Sequence, residues 1–315
     1  MKNKTYSLLV SPEDEGLRVD QFLGSTKYIK NRSQALKLIL ENHVTSGGQV
    51  LKASYKLTQG DRLDVVIPQE NQEVQGYNLP LEIVYEDEDL LVINKPAGLV
   101  VHPAPGHFSD TLLHALFYHK KIQIDSASSR SGVVHRLDKD TSGLLVLARN
   151  KTAEENLKEQ FKNRRVQRLY WALSLRPPRA LNSTIKSYLC RHPIFRTKYI
   201  SVQEYKTGCK EAITHCKTIK SYNNGITWLE CRLETGRTHQ IRVHLSSQSC
   251  PLLGDKIYGQ KLKTKSIQNL CKNLKGTALL AQSLSFTHPK TRKAMSFKCS
   301  WPSDLQDLIN SLELE

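Results

Sequence analysis

The stretch HRLDKDTSG, residues 135–143, directly precedes the apolar run LLVLA, residues 144–148. The run has the length and the flanking residues of a buried strand. A carboxylate in a polar turn at the entrance of such a strand is held by rigid structure and can face a cleft, which suits a catalytic group. Because Asp, Thr, Ser and Gly all favour turns, a purely structural turn at Asp138 or Asp140 stays open on these residues alone.

The composition describes a globular protein of about two domains. The chain has 315 residues, of which 39% are hydrophobic and 24% charged. No apolar run approaches the roughly 20 residues of a membrane span, and the first residues, MKNKTY, begin no secretory signal. We therefore expect a cytoplasmic protein without a membrane partner.

Cysteine and histidine usage argues against a metal site. The seven cysteines lie between Cys190 and Cys299, and none is spaced as Cys-x-x-Cys. An odd number without ligand spacing predicts free thiols in a reducing compartment, and neither a disulfide framework nor a zinc site. The histidines that cluster in sequence have no accompanying carboxylate or cysteine pattern and are expected on loops and helix surfaces. They are His102, His107, His114 and His119.

Positive charge is concentrated in one segment. The net charge is +16, and residues 149–220 contain 17 Lys and Arg against 5 Glu and no Asp. Such a surface favours a polyanion, because each neutralised phosphate releases counterions. Charge alone leaves RNA, DNA, an anionic membrane or a solvated face without a partner as alternatives.

A small domain is predicted over residues 1–68. Apolar spacing begins a helix at Leu17, and a second helix follows with Ser33 as its expected N-cap. A Gly47-Gly48 turn and short strands then continue to Pro68.

Three cations precede the second helix of this domain. Lys27, Lys30 and Arg32 lie with Tyr28 in the segment KYIKNRS. Helix N-termini attract phosphates, so these residues are candidate RNA contacts. An exposed loop with no further role is the alternative.

A polar linker is predicted at residues 69–78, and the larger domain at 79–315. In that domain, short strand patterns alternate with helical patterns, and many separations are of hairpin length. This pattern predicts an α+β fold with a mixed or antiparallel sheet.

Three further segments carry candidate chemistry. They are NKPAGLVVHP at 94–103, RLY at 168–170 and TGRTHQIRVHL at 235–245. In the last, Gly236 would permit a tight turn and Thr238 would cap a helix that carries Arg242. Arg242 could grip a catalytic carboxylate at two points, or serve as a phosphate contact or structural pair. Tyr170 could stack on a base or belong to the core.

Taken together, HRLDKDTSG, NKPAGLVVHP, TGRTHQIRVHL and the later GDKIYG resemble the RluA/RluD-type pseudouridine synthases. The resemblance runs from about Leu79 to Trp301, and the first domain resembles the alpha-L RNA-binding module. The segment VVHPAPGH, residues 100–107, is most similar to sequences of the RluD-like branch, which acts on large-subunit ribosomal RNA. The implied fold is a mixed, mainly antiparallel sheet flanked by helices, plus the small N-terminal α/β module.

The resemblance implies a role for each matching residue. Asp138 matches the nucleophilic aspartate that detaches uracil so that the base rotates and rejoins through carbon. Tyr170 matches the tyrosine that stacks on the base, and Arg242 the arginine paired with the aspartate. Arg136 matches the residue that fills the space left by the flipped uridine. The implied reaction needs no metal and no cofactor, and the family suggests a monomer.

One departure from the family is visible. A histidine is common in the family near the position of Leu280, where this chain reads ALLAQ at 278–282. Because the four functional residues match, we expect an altered packing contact and retained activity.

Two other functions are compatible with parts of the sequence. The first is a non-catalytic RNA-binding or ribosome-assembly factor that has kept the fold. The second is a glycosidase that uses Asp138 and Asp140 as a carboxylate pair, although side chains two apart in a turn generally diverge. The expected function is isomerisation of specific uridines to pseudouridine, most readily in 23S ribosomal RNA.

Overall fold

The computed structural model describes residues 3–29, 31–68, 76–104, 106–122, 132–260 and 265–314. The chain forms two compact units, residues 1–73 and 74–315, and each has its own hydrophobic core. Residues 69–75 of the predicted linker lie outside the described residues. Within the described part, no helix has the length and apolar character needed to cross a membrane.

The first unit combines two short helices with a four-stranded sheet of strand order β1-β4-β2-β3. Its elements are β1 (Lys4–Leu9), α1 (Val19–Ser25), α2 (Arg32–Leu40), β2 (Val44–Ser46), β3 (Gln49–Val50) and β4 (Arg62–Ile67). The N-cap of α2 is Asn31, whose side chain accepts from the N–H of Gln34 at 3.0 Å. The prediction of Ser33 as the cap is therefore wrong. Both residue types cap helices well, so only the backbone geometry decides between them.

The second unit is built on a ten-stranded mixed sheet of order β10-β9-β11-β12-β8-β13-β7-β6-β5, with β14 paired to β13. The strands are β5 (Glu82–Glu86), β6 (Leu90–Lys95), β7 (Ser142–Ala148), β8 (Gln167–Ser174), β9 (Asn182–Arg191), β10 (Tyr199–Val202), β11 (Lys210–Ser221), β12 (Thr227–Leu233), β13 (Leu279–Thr287) and β14 (Ala294–Lys298). The helices are α3 (Leu112–Tyr118), α4 (Lys151–Lys162), α5 (Gln240–Ser247), α6 (Lys265–Cys271) and α7 (Ser303–Leu314). Between named strands of the described chain, only β13 and β7 pair in parallel. The predicted α+β class with a mixed, mainly antiparallel sheet is confirmed.

Strand β7 lies inside this sheet, between β6 and β13. Leu144 and Val146 enter one hydrophobic cluster, whereas Leu145 and Leu147 enter another. Successive side chains of a strand point to opposite faces, so a strand covered on both faces is apolar throughout. This explains why the run after Asp138 is continuous and not alternating.

Two cysteines form a disulfide, and the expectation that all cysteines are free thiols is wrong. Cys190 and Cys209 are bonded, with Cα atoms 4.4 Å apart. The antiparallel register of β9 and β11 places Leu189 opposite Lys210, so the next residue on each side must also meet. Sequence spacing could not reveal this pair because the contact depends on strand register. The remaining cysteines are free, namely Cys216, Cys231, Cys250, Cys271 and Cys299.

Gly143 is the tightest point of β7. Its φ is +112°, and a Cβ added there would lie 2.4 Å from the carbonyl oxygen of Ala281 on β13. By contrast, Gly225 has a φ of +86° but open surroundings, with its nearest neighbouring atom 4.0 Å away. Gly143 and Gly225 share a positive φ but differ in the space available for a Cβ. Comparing alanine substitutions at the two positions therefore separates the cost of backbone strain from the cost of a steric clash.

We expect Gly143→Ala to destabilise the second unit far more than Gly225→Ala. The control suffers left-handed strain of about 1–2 kcal/mol, whereas Gly143→Ala adds an overpacking cost of about 1–3 kcal/mol. Urea unfolding followed by tryptophan fluorescence measures this, because Trp171, Trp228 and Trp301 all lie in the second unit. Equal losses in the two variants would contradict the close approach of β13.

Candidate active site

Asp138 lies in a turn that ends where β7 begins. The N–H of Thr141 donates to the carbonyl of Asp138 at 3.2 Å, which closes the turn. Beneath it, the fully buried Lys95 donates from Nζ to the carbonyls of Pro96, Leu99 and Lys139 at 2.8–3.1 Å. Burial lowers the pKa of Lys95 to about 7, although the charges of Asp138 and Asp140 act in the opposite direction. Lys95 therefore ties the NKPAG segment to the Asp138 turn.

Arg242 connects the Asp138 turn to α5. Its Nη1 donates to Oδ2 of Asp138 at 3.0 Å, and both residues line a cavity. The two-point grip expected for Asp138 goes instead to Asp255, which accepts from Nε at 2.8 Å and from Nη2 at 2.9 Å. The Asp255 side chain is completely buried, whereas that of Asp138 is 16% exposed. Asp138 is thus the carboxylate that can meet a ligand.

Asp255 belongs to the GDKIYG segment and was not predicted as a site residue. Burial alone would raise its pKa, but the hydrogen bonds and charge of Arg242 and two backbone N–H groups give a net lowering. Those N–H groups belong to Ile257 and Tyr258 and donate at 2.9 and 3.0 Å. A carboxylate with so many donors stays ionised inside the protein. Its presence within a recognised motif was the only signal in the sequence.

The cavity has a volume of about 530 Å³, and Asp138, Arg242 and Tyr170 share its wall. Tyr170 lies on β8 opposite Cys231 of β12 and Ala281 of β13, and is 6% exposed. Burial raises the pKa of the Tyr170 hydroxyl. Residues from three distant segments of the sequence therefore line one cavity. Asp140 does not line the cavity, so the carboxylate-pair alternative loses its geometric basis.

Cations surround the cavity. The exposed Arg136 lies in its wall, and the basic segment contributes Lys162, Arg164 and Arg168. Arg168 places its guanidinium 5.6 Å from the centre of the Phe161 ring. A Cβ on Gly236 would lie 2.5 Å from Nη1 of Arg168. A side chain at Gly236 would therefore displace the guanidinium of Arg168, and Gly236 does not use the left-handed conformation that only glycine adopts freely.

His239 was not predicted, and it directly faces Asp138. It is the N-cap of α5 with φ 57° and ψ 21°, so the cap predicted at Thr238 is wrong. Its Nε2 lies 4.0 Å from Oδ1 of Asp138, and its Nδ1 lies 2.8 Å from the hydroxyl of Tyr258. Burial lowers the pKa of His239. A left-handed conformation of a non-glycine residue cannot be read from sequence, although it often occurs at functional sites.

His135 anchors the other end of the HRLD segment. Its Nε2 accepts from the N–H of Val146 on β7 at 3.0 Å, and its ring stacks on Phe161 with centroids 4.5 Å apart. An accepting Nε2 requires neutral imidazole. Burial first, and the charge of Arg168 second, lower the pKa of His135 to about 3. The segment is therefore fixed to β7 by a histidine that resists protonation.

In the first unit, the cations predicted to contact RNA differ in how far they are already engaged within the protein. Nζ of Lys27 lies 5.2 Å from the Tyr28 ring centre. Arg32 pairs with the buried Asp20 at 2.8 Å, so this cation is partly committed to holding α1 and α2 together. Lys30 lies outside the described residues.

A group of possible metal ligands consists of Asp87, Asp89 and His288. Nε2 of His288 contacts Asp87 at 2.8 Å, and its Nδ1 accepts from two backbone N–H groups. Asp87 also accepts from Tyr85, and Asp89 accepts from Asn150. Each candidate ligand is thus already engaged in a hydrogen bond within the protein, and we interpret the group as a structural hydrogen-bond network.

Leu280 lies on β13 with a fully buried side chain, in the cluster that contains Trp301 and α7. Its neighbour Leu279 lines the cavity, whereas Leu280 does not. The departure from the family at this position is therefore located in the core behind the site.

Arg242→Met should lower the free energy of unfolding of the second unit by about 3–5 kcal/mol, because it leaves Asp255 buried without its partner. The double variant Arg242→Met/Asp255→Asn should recover most of this loss. Asparagine is uncharged at this position and still accepts from the N–H groups of Ile257 and Tyr258. Urea unfolding measures both values, and a double variant as unstable as the single one would contradict the argument.

His135→Gln should make the protein less sensitive to acid. In the wild type, the unfolded chain binds a proton at His135 near pH 6.5, whereas the folded chain does so only near pH 3. This contribution to stability is therefore present above pH 6.5 and lost as the pH falls below it, by about 1 kcal/mol per pH unit. Glutamine can accept from Val146 without titrating. Unfolding free energies at pH 6.5, 5.5 and 4.5 should fall more steeply in the wild type, and parallel curves would refute this.

Comparison with known proteins agrees with this geometry. Residues 89–247 match the family described as RNA pseudouridylate synthase, and residues 17–63 match the S4 domain. The chain is 38% identical to YlyB of Bacillus subtilis, an uncharacterized RNA pseudouridine synthase, over 97% of both chains. It is 36% identical to ribosomal large subunit pseudouridine synthase D of Haemophilus influenzae, over all of this chain and 97% of that protein.

A solved structure shares the fold. Human RNA pseudouridylate synthase domain containing 4 superposes with a TM-score of 0.58 at 26% identity. The superposition covers 74% of this chain and 93% of the human chain. The protein therefore belongs to the RNA pseudouridine synthase family and is an RNA pseudouridine synthase that carries an S4 RNA-binding domain.

Proposed function

We propose that this enzyme isomerises specific uridines of large-subunit ribosomal RNA, with Asp138 as the nucleophile. The observation that carries the proposal is the Asp138 carboxylate, partly exposed in a cavity and held by Arg242 through one oxygen. Full-length relatives named for the large ribosomal subunit support the choice of RNA. A ribosomal substrate in turn implies action in the cytoplasm.

The proposed chemistry follows from the position of the carboxylate. Asp138 attacks C1′ of the target uridine, and the electrons of the C1′–N1 bond leave with uracil. The base rotates, C5 bonds to C1′ and displaces Asp138, and the C5 proton is lost while N1 gains one. Atoms and charge balance without a cofactor. Arg242 serves to orient Asp138 before the attack through the hydrogen bond from Nη1 to Oδ2.

Tyr170 would hold the flipped base in the cavity, and Arg136 would fill the gap that the base leaves in the RNA. Tyr170 is a rigid aromatic in the cavity wall and is suited to stack on the detached uracil. Arg136 is exposed at the same cavity and is suited to enter the gap in the RNA stack. Because flipping a base costs a few kcal/mol, a side chain that fills the gap offsets part of the cost.

RNA binding would extend beyond the cavity. The exposed cations of the basic segment, such as Lys186, Arg191 and Arg196, would neutralise phosphates of structured RNA. In the S4 domain, Lys27, Lys30 and Arg32 are the proposed contacts, with Arg32 acting from its place beside Asp20.

Asp138→Asn should reduce the rate of pseudouridine formation by at least about 1,000-fold, while RNA affinity changes by less than about threefold. Asp140→Asn is the matched control, since Asp140 is two residues away in the same turn and does not line the cavity. Pseudouridine mapping of ribosomal RNA from cells with and without the gene identifies the sites, and complementation with each variant tests the role of the residue.

Loss of discrete large-subunit sites, restored by the wild type and by Asp140→Asn but not by Asp138→Asn, is the expected result. Full activity of Asp138→Asn would overturn the assignment of the nucleophile. An unchanged large-subunit map would overturn the proposed substrate.

A further inference from the structure

The proton of His239 has a defined position. The Tyr258 hydroxyl oxygen already accepts from the N–H of Tyr199 at 2.8 Å. That oxygen can still donate its own proton across the 2.8 Å contact with Nδ1 of His239. Because the carboxylate of Asp138 faces Nε2 across 4.0 Å and favours a proton there, we assign the Tyr258 proton to the Nδ1 contact and the imidazole proton to Nε2. Because burial lowers the pKa of His239, the ring is neutral at the pH of the cell. His239 thus presents one fixed N–H donor toward Asp138.

The two oxygens of Asp138 differ. Oδ2 accepts from Arg242, whereas Oδ1 faces Nε2 of His239 across 4.0 Å. That distance is too long for a direct hydrogen bond, but two bonds of about 2.7–2.9 Å through one intervening oxygen can cover it. Asp138 and His239 both line the cavity, so the gap opens into the substrate space.

An atom in this gap must accept from Nε2–H and donate to a carboxylate oxygen. Uracil offers O2 and O4 as acceptors and N3–H as a donor, but no atom that does both. The phosphodiester oxygens only accept. Within an RNA chain, the 2′-hydroxyl is the group of an internal uridine that does both with one oxygen. It is also bonded to the carbon next to C1′, which lies within reach of a carboxylate that attacks C1′.

We propose that His239 and Asp138 together bind the 2′-hydroxyl of the target uridine, so that His239 makes the enzyme specific for ribose. The inference rests on the proposed function, because it requires the target nucleotide to enter this cavity. Tyr258 acts as a positioning residue that fixes the proton of His239 on Nε2. The left-handed conformation of His239 aims the ring at Asp138 from the start of α5.

Two substitutions separate the donor from the rest of the side chain. His239→Asn places an amide oxygen near Nδ1, where it can accept from Tyr258, but leaves no donor at the Nε2 position. Asparagine also tolerates left-handed backbone, so α5 keeps its start. His239→Gln extends an amide N–H to the Nε2 position and is the conservative rescue. Urea unfolding of both variants checks that the fold is retained.

The test is a cycle of two proteins and two substrates. An RNA fragment that contains a mapped site is prepared with uridine or with 2′-deoxyuridine at that site, and kcat/KM is measured for the wild type and His239→Asn. Loss of the hydroxyl should reduce wild-type kcat/KM about 10–100-fold, and His239→Asn should reduce it similarly on the ribose substrate. For His239→Asn, replacing the ribose substrate by the 2′-deoxyuridine substrate should then lower kcat/KM by less than about threefold. His239→Gln should stay within about tenfold of the wild type.

Independent, multiplicative losses from the two changes would overturn the proposal, as would an unchanged kcat/KM for His239→Asn. The wild type with the ribose substrate tests the proposed function separately. If that reaction yields no pseudouridine, both the function and this inference fail. If it proceeds and only the coupling is missing, the inference alone fails.

Discussion

One guanidinium shared by two carboxylates organises the site. Arg242 donates two hydrogen bonds to the buried Asp255 and one to Asp138, so the arginine is fixed before any ligand binds. An arginine paired with Asp138 alone could move together with that side chain. Because Arg242 is also bound to Asp255, its position determines where the Asp138 carboxylate lies. The arrangement also leaves Oδ1 of Asp138 open to the cavity. Orientation of the proposed nucleophile therefore depends on Asp255, whose side chain is completely buried and does not line the cavity.

Close approaches between distant segments complete this geometry. The absence of a side chain at Gly143 lets β13 pair beside the Asp138 turn, and the absence of one at Gly236 leaves space for Arg168. Lys95 joins the first motif to the Asp138 turn through three carbonyl oxygens. HRLDKDTSG and TGRTHQIRVHL thus line the cavity directly, whereas NKPAGLVVHP and GDKIYG support these two motifs from behind through Lys95 and Asp255.

Much of the fold follows from local patterns, and the rest depends on contacts that sequence spacing does not encode. The continuous apolar run after Asp138 predicted a buried strand, and the alternation of short strands and helices predicted the mixed sheet. The cap at Asn31 and the left-handed His239 depend on backbone geometry, and the Cys190–Cys209 bond depends on the register of β9 and β11. Asp138 and Arg242 could be selected because they lie in long motifs, and Tyr170 because the resemblance matches it with an active-site tyrosine. Asp255 could not be assigned a role, because its partner is identified only once α5 is placed in space.

Asp138 and Arg242 are 104 residues apart, and β13, which flanks both β7 and β8, begins only at Leu279. The S4 match, in contrast, is complete by residue 63. Domains fold as units while the chain emerges at about 5–20 residues per second, so the S4 domain precedes the finished cleft by roughly 10–40 s. During that interval the nascent protein is an RNA-binding domain without a catalytic site. Translation order alone therefore separates the ability to hold RNA from the ability to modify it.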